Sequence, residues 1–261
     1  MRQMFRLCVA QAPAELDGTK ERLLWLRDAL PEIAGKQVDL VLLPELFATG
    51  YNIGADVALR AEPINGPIFA ALSDMAQTFG VAIHCGLVEQ EAARLCNAAI
   101  CVSRDGALLS HQRKLAIPPG FEQTYFTPGK GCQVFELAGV RIATLICYDA
   151  EFPEAVRHVA GLGAELVLVP TALGAQWAWV AETMIPTRAF ENGVFLAYAN
   201  SAGTERGMAF LGKSVIAAPD GIELARAGAP PELLFAEIDP ERVRAAQARL
   251  PYLQDRHRLN L

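Results

Sequence analysis

The feature that most constrains this chain is a series of short apolar runs, rich in Val, Ile and Leu, recurring along its whole length. They lie at 5–10, 38–43, 81–87, 98–102, 140–147, 166–169, 194–198, 214–218 and 233–238. Many are continuous instead of alternating, the pattern of strands covered on both faces. Helical periodicity fills several of the gaps. Residues 19–31 carry Leu23, Leu24, Leu26 and Leu30, and 68–79 carry Leu72, Met75 and Ala76. Segments 154–160 and 177–191 follow the same habit, and 239–250 reads as a late helix. The order is β-α-β-α-β-β-β, then β-α-β-α-β, then more strands. That is an α/β protein with a large, partly antiparallel sheet system. No glycine-rich dinucleotide or phosphate loop follows a strand. Without repeats or linker tracts, one domain over 1–261 is expected, long enough to bury about three quarters of its extended surface.

Charge and cysteine usage narrow the function. The formal net charge is −6, and Lys occurs only at positions 20, 36, 114, 130 and 213. A basic face able to track a phosphate backbone is not expected, which argues against nucleic acid as a partner. Cysteines stand at 8, 85, 96, 101, 132 and 147, with no CxxC pair and no zinc-like spacing. Several lie within apolar runs, so reduced thiols and a cytoplasmic location are expected. The N-terminal MRQMFRLCVAQAP reads as a first buried strand, not a signal peptide. No run of eighteen apolar residues is present, so no membrane span is expected.

Three reactive residues stand at or near the ends of apolar runs, where ligands gather in open α/β sheets. Glu45 follows VDLVLLP, at a low-dielectric rim that can raise a carboxyl pKa toward the range of a general base. The alternative is a solvated strand end or a helix cap. Lys114, in HQRKL, can stabilise a developing oxyanion or be plain surface charge. Cys147 ends RIATLIC and precedes YDAEFPE, in which Pro153 suits the first turn of a helix. A thiol on such a strand-to-helix turn is placed like the serine of a nucleophile elbow, and a helix start favours the thiolate. The backbone N–H of Tyr148 can then share an oxyanion hole with Lys114. The competing reading is an inert buried cysteine. Of the four His, at 84, 111, 158 and 257, none shows a signature of a catalytic partner, and His84 reads as a core residue. Glu45 is therefore a rival to imidazole as the base for Cys147.

In this order the three residues resemble the nitrilase superfamily, the carbon–nitrogen hydrolases, and the match covers nearly the whole chain. Glu45 in LLPELFATGY is similar to the family base, Lys114 in HQRKL to its lysine, and Cys147 in LICYDAEFPE to its nucleophile. Glu122 in GFEQTYFTPG matches a second family glutamate that orients the site. Further matches are PTRAFENGVFLAYAN around Arg188 and Asn192, FLGKSVIAAPDG around Ser214, and the tail PYLQDRHR. The resemblance implies a four-layer α-β-β-α sandwich, pairing into a homodimer or higher homo-oligomer through 151–162 and 251–261. It also implies covalent catalysis on a small-molecule amide, with no cofactor and no metal.

The branch is less sharply marked. Tyr148–Asp149 after the nucleophile resembles the amidase side, where nitrilases have Trp–Glu. The segment 170–181 (PTALGAQWAWVA) contains no Arg or Lys, and Leu173 stands where a cation might reach a substrate carboxylate. Thr171, Gln176 and Trp177 are the candidate pocket residues; Trp177 and Trp179 can equally pack a helix. The expectation is hydrolysis of small aliphatic or aromatic carboxamides. An omega-amidase acting on alpha-keto acid monoamides, an N-carbamoyl hydrolase and a nitrilase are the alternatives within the fold. A non-catalytic interaction subunit or a thiol sensor is the alternative outside catalysis.

Overall fold

The computed structural model describes residues 4–259. The first three residues of the N-terminal stretch and the last two of the tail expected to mediate pairing lie outside the described residues. The chain begins with β1 (Phe5–Gln11), α1 (Thr19–Gly35), β2 (Leu40–Leu42), α2 (Asp56–Arg60) and α3 (Pro67–Phe79). Three strands follow, β3 (Ala82–Glu91), β4 (Arg94–Val102) and β5 (Leu108–Arg113), then the short α4 (Phe121–Tyr125). The second half runs β6 (Val134–Leu137), β7 (Val140–Thr144), α5 (Pro153–Gly161), β8 (Leu166–Pro170), α6 (Ile185–Asn192) and β9 (Phe195–Ala199). It ends with β10 (Ala202–Glu205), β11 (Met208–Leu211), β12 (Val215–Ala217), β13 (Glu223–Arg226), β14 (Glu232–Ile238), α7 (Pro240–Arg249) and α8 (Tyr252–Asp255).

Twelve of the strands form two six-stranded sheets, ordered β14-β1-β2-β3-β4-β5 and β13-β12-β9-β8-β7-β6, and β10-β11 stand apart as a hairpin. Each sheet has a parallel centre, β1-β2-β3 or β7-β8-β9, and antiparallel flanks. Because strand side chains alternate, the continuous apolar runs supply two cores at once. From β1, β2 and β8, residues Leu7, Val9, Leu40, Leu42, Leu166 and Leu168 point into the space between the sheets. Their neighbours Cys8, Ala10, Val41 and Leu43 pack under α1 and α3, against Leu26, Leu30 and Leu72. On the other side Ala143, Val167 and Val169 meet Val156, Val159, Ile185 and Ala189 of α5 and α6. The layers are therefore helix, sheet, sheet, helix, the expected sandwich. No helix among the described residues is long and apolar enough to cross a membrane.

Three local departures have physical reasons. The first helix continues past Pro31 to Gly35, although proline removes one helical bond. Its buried face, Leu26, Leu30 and Ile33, extends beyond the proline, and that burial holds the last turn. The expected helix over 177–191 is instead a 3-10 turn (Ala175–Trp177), a π turn (Val180–Met184) and then α6. Proline stands in the first turn of α6 and has no N–H for the preceding turn, so the ladder changes register there. The β10-β11 hairpin has no apolar periodicity in its first strand, Ala-Gly-Thr-Glu. Its turn places both Arg206 (φ 44°) and Gly207 (φ 86°) in the left-handed region, the requirement of a two-residue hairpin loop.

Candidate active site

The carboxyl ends of strands from both sheets meet at one edge of the sandwich. From β2 the chain turns through Pro44 to Glu45, whose N–H donates to the Thr171 carbonyl, just past β8 of the other sheet, at 3.3 Å. The close turn is permitted by Gly86 of β3, where a Cβ would lie 2.4 Å from Leu46 N and 2.8 Å from the Pro44 carbonyl oxygen. Since β4 is antiparallel to both β3 and β5, β5 runs the same way as β2 and delivers Lys114 to the same edge. Lys114 is tied by its N–H to the Asn97 carbonyl (2.8 Å), and its own carbonyl accepts from Gly129 (2.7 Å).

At this edge lies a buried cluster of charge. Lys114 Nζ is 2.7 Å from Glu45 Oε1, 2.7 Å from Glu122 Oε1 and 2.9 Å from Glu122 Oε2, and all three side chains are essentially inaccessible. Asn97 Nδ2 donates to Glu45 Oε1 (2.7 Å) and Glu122 Oε2 (3.3 Å), and the Tyr51 hydroxyl donates to Glu122 Oε1 (2.7 Å). Glu45 Oε2 is buried without a hydrogen-bond partner. One oxygen of Glu45 is thus committed to the ammonium while the other is left for a proton.

Cys147 lies three residues beyond the end of β7, not at its last position, and heads a 3-10 turn (Cys147–Glu151) with φ 48°. A non-glycine residue held in the left-handed region is strained, and such strain recurs at functional turns. Asp149 holds the turn in place. Its buried carboxylate accepts the N–H groups of Ile146 (3.1 Å), Leu115 (3.1 and 3.2 Å) and Ala116 (2.8 Å). One side chain therefore ties the cysteine turn to the segment just after Lys114. Arg188 of α6 adds a bond from Nη2 to the Glu151 carbonyl (2.7 Å). Pro153 opens α5 immediately after, as expected.

The electrostatics differ from the expected helix-start thiolate. Burial and the Glu45 carboxylate push the Cys147 thiol well up, against the opposing pull of Lys114. Burial also raises Glu45, against the charge of Lys114. For Lys114 burial works against the ammonium, but the Glu45 and Glu122 carboxylates more than offset it and keep it protonated. The resting state is a neutral thiol beside a carboxyl whose proton affinity is raised, with a fixed positive charge between two acids.

Thr171 is fully buried, and its hydroxyl donates to Tyr198 Oη at 3.1 Å. Gln176 and Trp177 lie on the exposed 3-10 turn, outside the bonds of the charged cluster. Trp177 and Trp179 are 58% and 71% exposed, so neither packs a helix core. Tyr148 is the second residue of its turn, where backbone N–H groups lack helical acceptors, and its ring packs edge-on to Phe152 at 4.9 Å. His84 is buried, bonds Thr144 Oγ1 at 2.9 Å and is pushed down to about 3 by burial, so it stays neutral in the core. All six cysteines are free. Sequence reasoning did not single out Asn97, Tyr51 or the contacts of Asp149. Asn97 carried a signal, a lone amide inside the apolar run of β4.

A family model described as carbon-nitrogen hydrolase matches residues 6–248. The chain is 39% identical over 221 residues to a protein described as "Hydrolase in pqqF 5'region" from Pseudomonas protegens, covering 84% of this chain and 78% of that one. It is 34% identical to an (R)-stereoselective amidase from a Pseudomonas species, over 88% and 83% of the two chains. The crystal structure of an amidase from Nesterenkonia sp. superposes with a TM-score of 0.87 at 31% identity, covering 96% of each chain. With its sandwich fold, its buried Glu–Lys–Glu cluster and a cysteine on a strained turn beside them, this chain belongs to the carbon–nitrogen hydrolase family.

Proposed function

We propose that this carbon–nitrogen hydrolase, a cysteine-dependent amidase, acts on small uncharged carboxamides and releases a carboxylic acid and ammonia. The observation that carries the reading is the Glu45 carboxylate, bound to Lys114 through one oxygen and buried without a partner at the other. In the proposed reaction Glu45 takes the thiol proton of Cys147, and the sulfur attacks the amide carbonyl. Lys114 Nζ and the Tyr148 N–H hold the oxyanion. The carbon–nitrogen bond breaks as Glu45 returns the proton to the leaving nitrogen. Glu45 then draws a proton from water, which attacks the thioester and restores the thiol. Glu122, clamped by Lys114, Asn97 and Tyr51, orients Lys114 and the substrate nitrogen. Thr171, Gln176 and Trp177 remain the proposed pocket residues, with Thr171 the one that is fully buried.

The neutral acyl group is argued from what surrounds Tyr51. Its ring meets Phe121 at 5.0 Å and Phe210 at 6.1 Å. The guanidinium groups of that neighbourhood are already engaged: Arg22 by Glu205, Arg60 by Asp17, and Arg206 by Asp56. A substrate carboxylate would find aromatic faces and neutralised cations there. Relatives described as 2-oxoglutaramate amidase (Bacillus subtilis) and N-carbamoylputrescine amidase (Arabidopsis thaliana), at 29% and 32% identity, define the rival substrates. Variants of the Nesterenkonia amidase have been seen with butyramide and acrylamide, and with fluoroacetamide's acetamide moiety on its active-site cysteine.

The test is ammonia release from four substrate sets: neutral carboxamides, 2-oxo acid monoamides, N-carbamoyl compounds and nitriles. Neutral carboxamides should give the highest kcat/KM; a preference for any other set overturns the assignment. Cys147→Ala and Glu45→Gln should each abolish turnover while leaving thermal unfolding cooperative. Normal turnover by either variant refutes its proposed role.

A further inference from the structure

One buried ion pair plays no part in the proposed chemistry, yet it lies directly behind the site. Arg22 of α1 and Glu205 of β10, 183 residues apart, meet at 2.5 Å with both side chains almost inaccessible. Arg22 also donates to the carbonyls of Ala14 and Phe47, each at 3.3 Å. The second oxygen of Glu205 accepts two consecutive backbone N–H groups, Tyr51 at 3.0 Å and Asn52 at 2.6 Å. Asn52 Nδ2 returns to the carbonyls of Glu205 (3.1 Å) and Arg206 (3.2 Å). The approach requires glycine next door: a Cβ on Gly50, which has φ +95°, would lie 2.8 Å from Glu205 Oε1. Tyr51, gripped from behind, reaches forward to Glu122 Oε1, the same oxygen that accepts from Lys114. The hairpin that carries Glu205 also presents Phe210 to the Tyr51 ring.

We propose that Glu205 is a positioning residue for amide hydrolysis. It holds the Tyr51–Asn52 backbone so that the Tyr51 hydroxyl restrains Glu122 beneath Lys114, and so that Tyr51 and Phe210 together wall the acyl site. The assignment rests on the hydrolase reading above and extends it by an element that touches no reacting atom. Stability alone is a poor explanation for the pair, because a buried ion pair is often no more stabilising than apolar residues of the same volume. Fixing two successive N–H groups behind a catalytic carboxylate, by contrast, sets geometry, to which catalysis is steeply sensitive.

The experiment is a double-mutant cycle on kcat/KM between Glu205 and the Tyr51 hydroxyl. Folded protein is isolated by size exclusion and its active sites are counted by iodoacetamide labelling of Cys147 read by peptide mass spectrometry, so that misfolded protein does not enter the rate. Glu205→Gln and Tyr51→Phe should each lower kcat/KM per labelled site about tenfold, the scale of one hydrogen bond to a charged group. In the Tyr51→Phe background, Glu205→Gln should add less than about twofold, because its route to Glu122 is already cut. Glu205→Asp keeps the charge opposite Arg22 and withdraws the carboxylate by one methylene. It should behave as Glu205→Gln does, and it decides the question if the glutamine variant does not fold. Effects that multiply independently overturn the assignment, as does a lowered melting temperature with full kcat/KM per labelled site. Absence of amide turnover in the unmodified chain removes the hydrolase reading and this assignment with it.

Discussion

Replacing Asp149 with asparagine leaves the shape of the side chain but takes away one of its two acceptor oxygens. In the native turn Oδ1 accepts from Ala116 (2.8 Å) and Leu115 (3.1 Å), while Oδ2 accepts from Ile146 (3.1 Å) and Leu115 (3.2 Å). The amide oxygen can keep the first pair. Its NH2 then faces the Ile146 N–H, donor against donor in a buried space. The loss of a hydrogen bond to a charged group costs about 1.5–3 kcal/mol, and an unsatisfied buried donor about 1–3 more. Part is returned, because burial pushes the Asp149 carboxyl above its ordinary range and a neutral amide escapes that penalty. A net destabilisation of about 3 kcal/mol remains, which for a chain of this size lowers Tm by roughly 6–12 °C. The same change frees the Cys147 turn from the Lys114 segment, so kcat/KM should fall by more than the folded fraction does. Thermal unfolding followed by circular dichroism, with kcat/KM per iodoacetamide-labelled Cys147, measures both. A Tm within about 2 °C of the parent together with unchanged kcat/KM per site would refute the reasoning.

Two further outcomes are expected. Glu89 is buried against its own charge, but Arg113 (2.7 Å) and His111 (2.8 Å) more than offset burial and hold its carboxyl down to about 2. Its folded pKa therefore lies below its unfolded value, so its stabilisation is present above about 4.5 and is lost as pH falls toward 2. In urea unfolding, Glu89→Gln should be less stable than the parent near neutrality, with the gap closing across that window; a constant gap contradicts the pairing. The chain is also expected to form a homodimer through the face of α5, α6 and α8, where Phe152, Leu162, Phe190, Tyr252 and Leu259 remain exposed. Sedimentation equilibrium should give twice the mass of one chain, reduced to one by Phe190→Asp; a monomeric parent chain would refute it.

The sequence by itself determined an α/β protein with a large, partly antiparallel sheet system and the neighbourhood of the chemistry, while the four-layer arrangement was implied by the family resemblance. Continuous apolar runs dictate strands buried on both faces, and Pro153 marks the start of α5 after the cysteine turn. Glu45, Lys114 and Cys147 are legible because each follows a strand within a few residues, a local relation. Tertiary structure decided which partners those groups meet. Asn97 bridging two carboxylates, Tyr51 on Glu122, Asp149 under Leu115 and Arg22 on Glu205 all join segments far apart in the chain. Hydrogen-bond partners of buried groups are chosen by proximity in the packed interior, and no period or spacing in the chain records that proximity. The raised thiol of Cys147 has the same origin, since it depends on how completely the sandwich excludes water from the sulfur and on the carboxylate placed beside it.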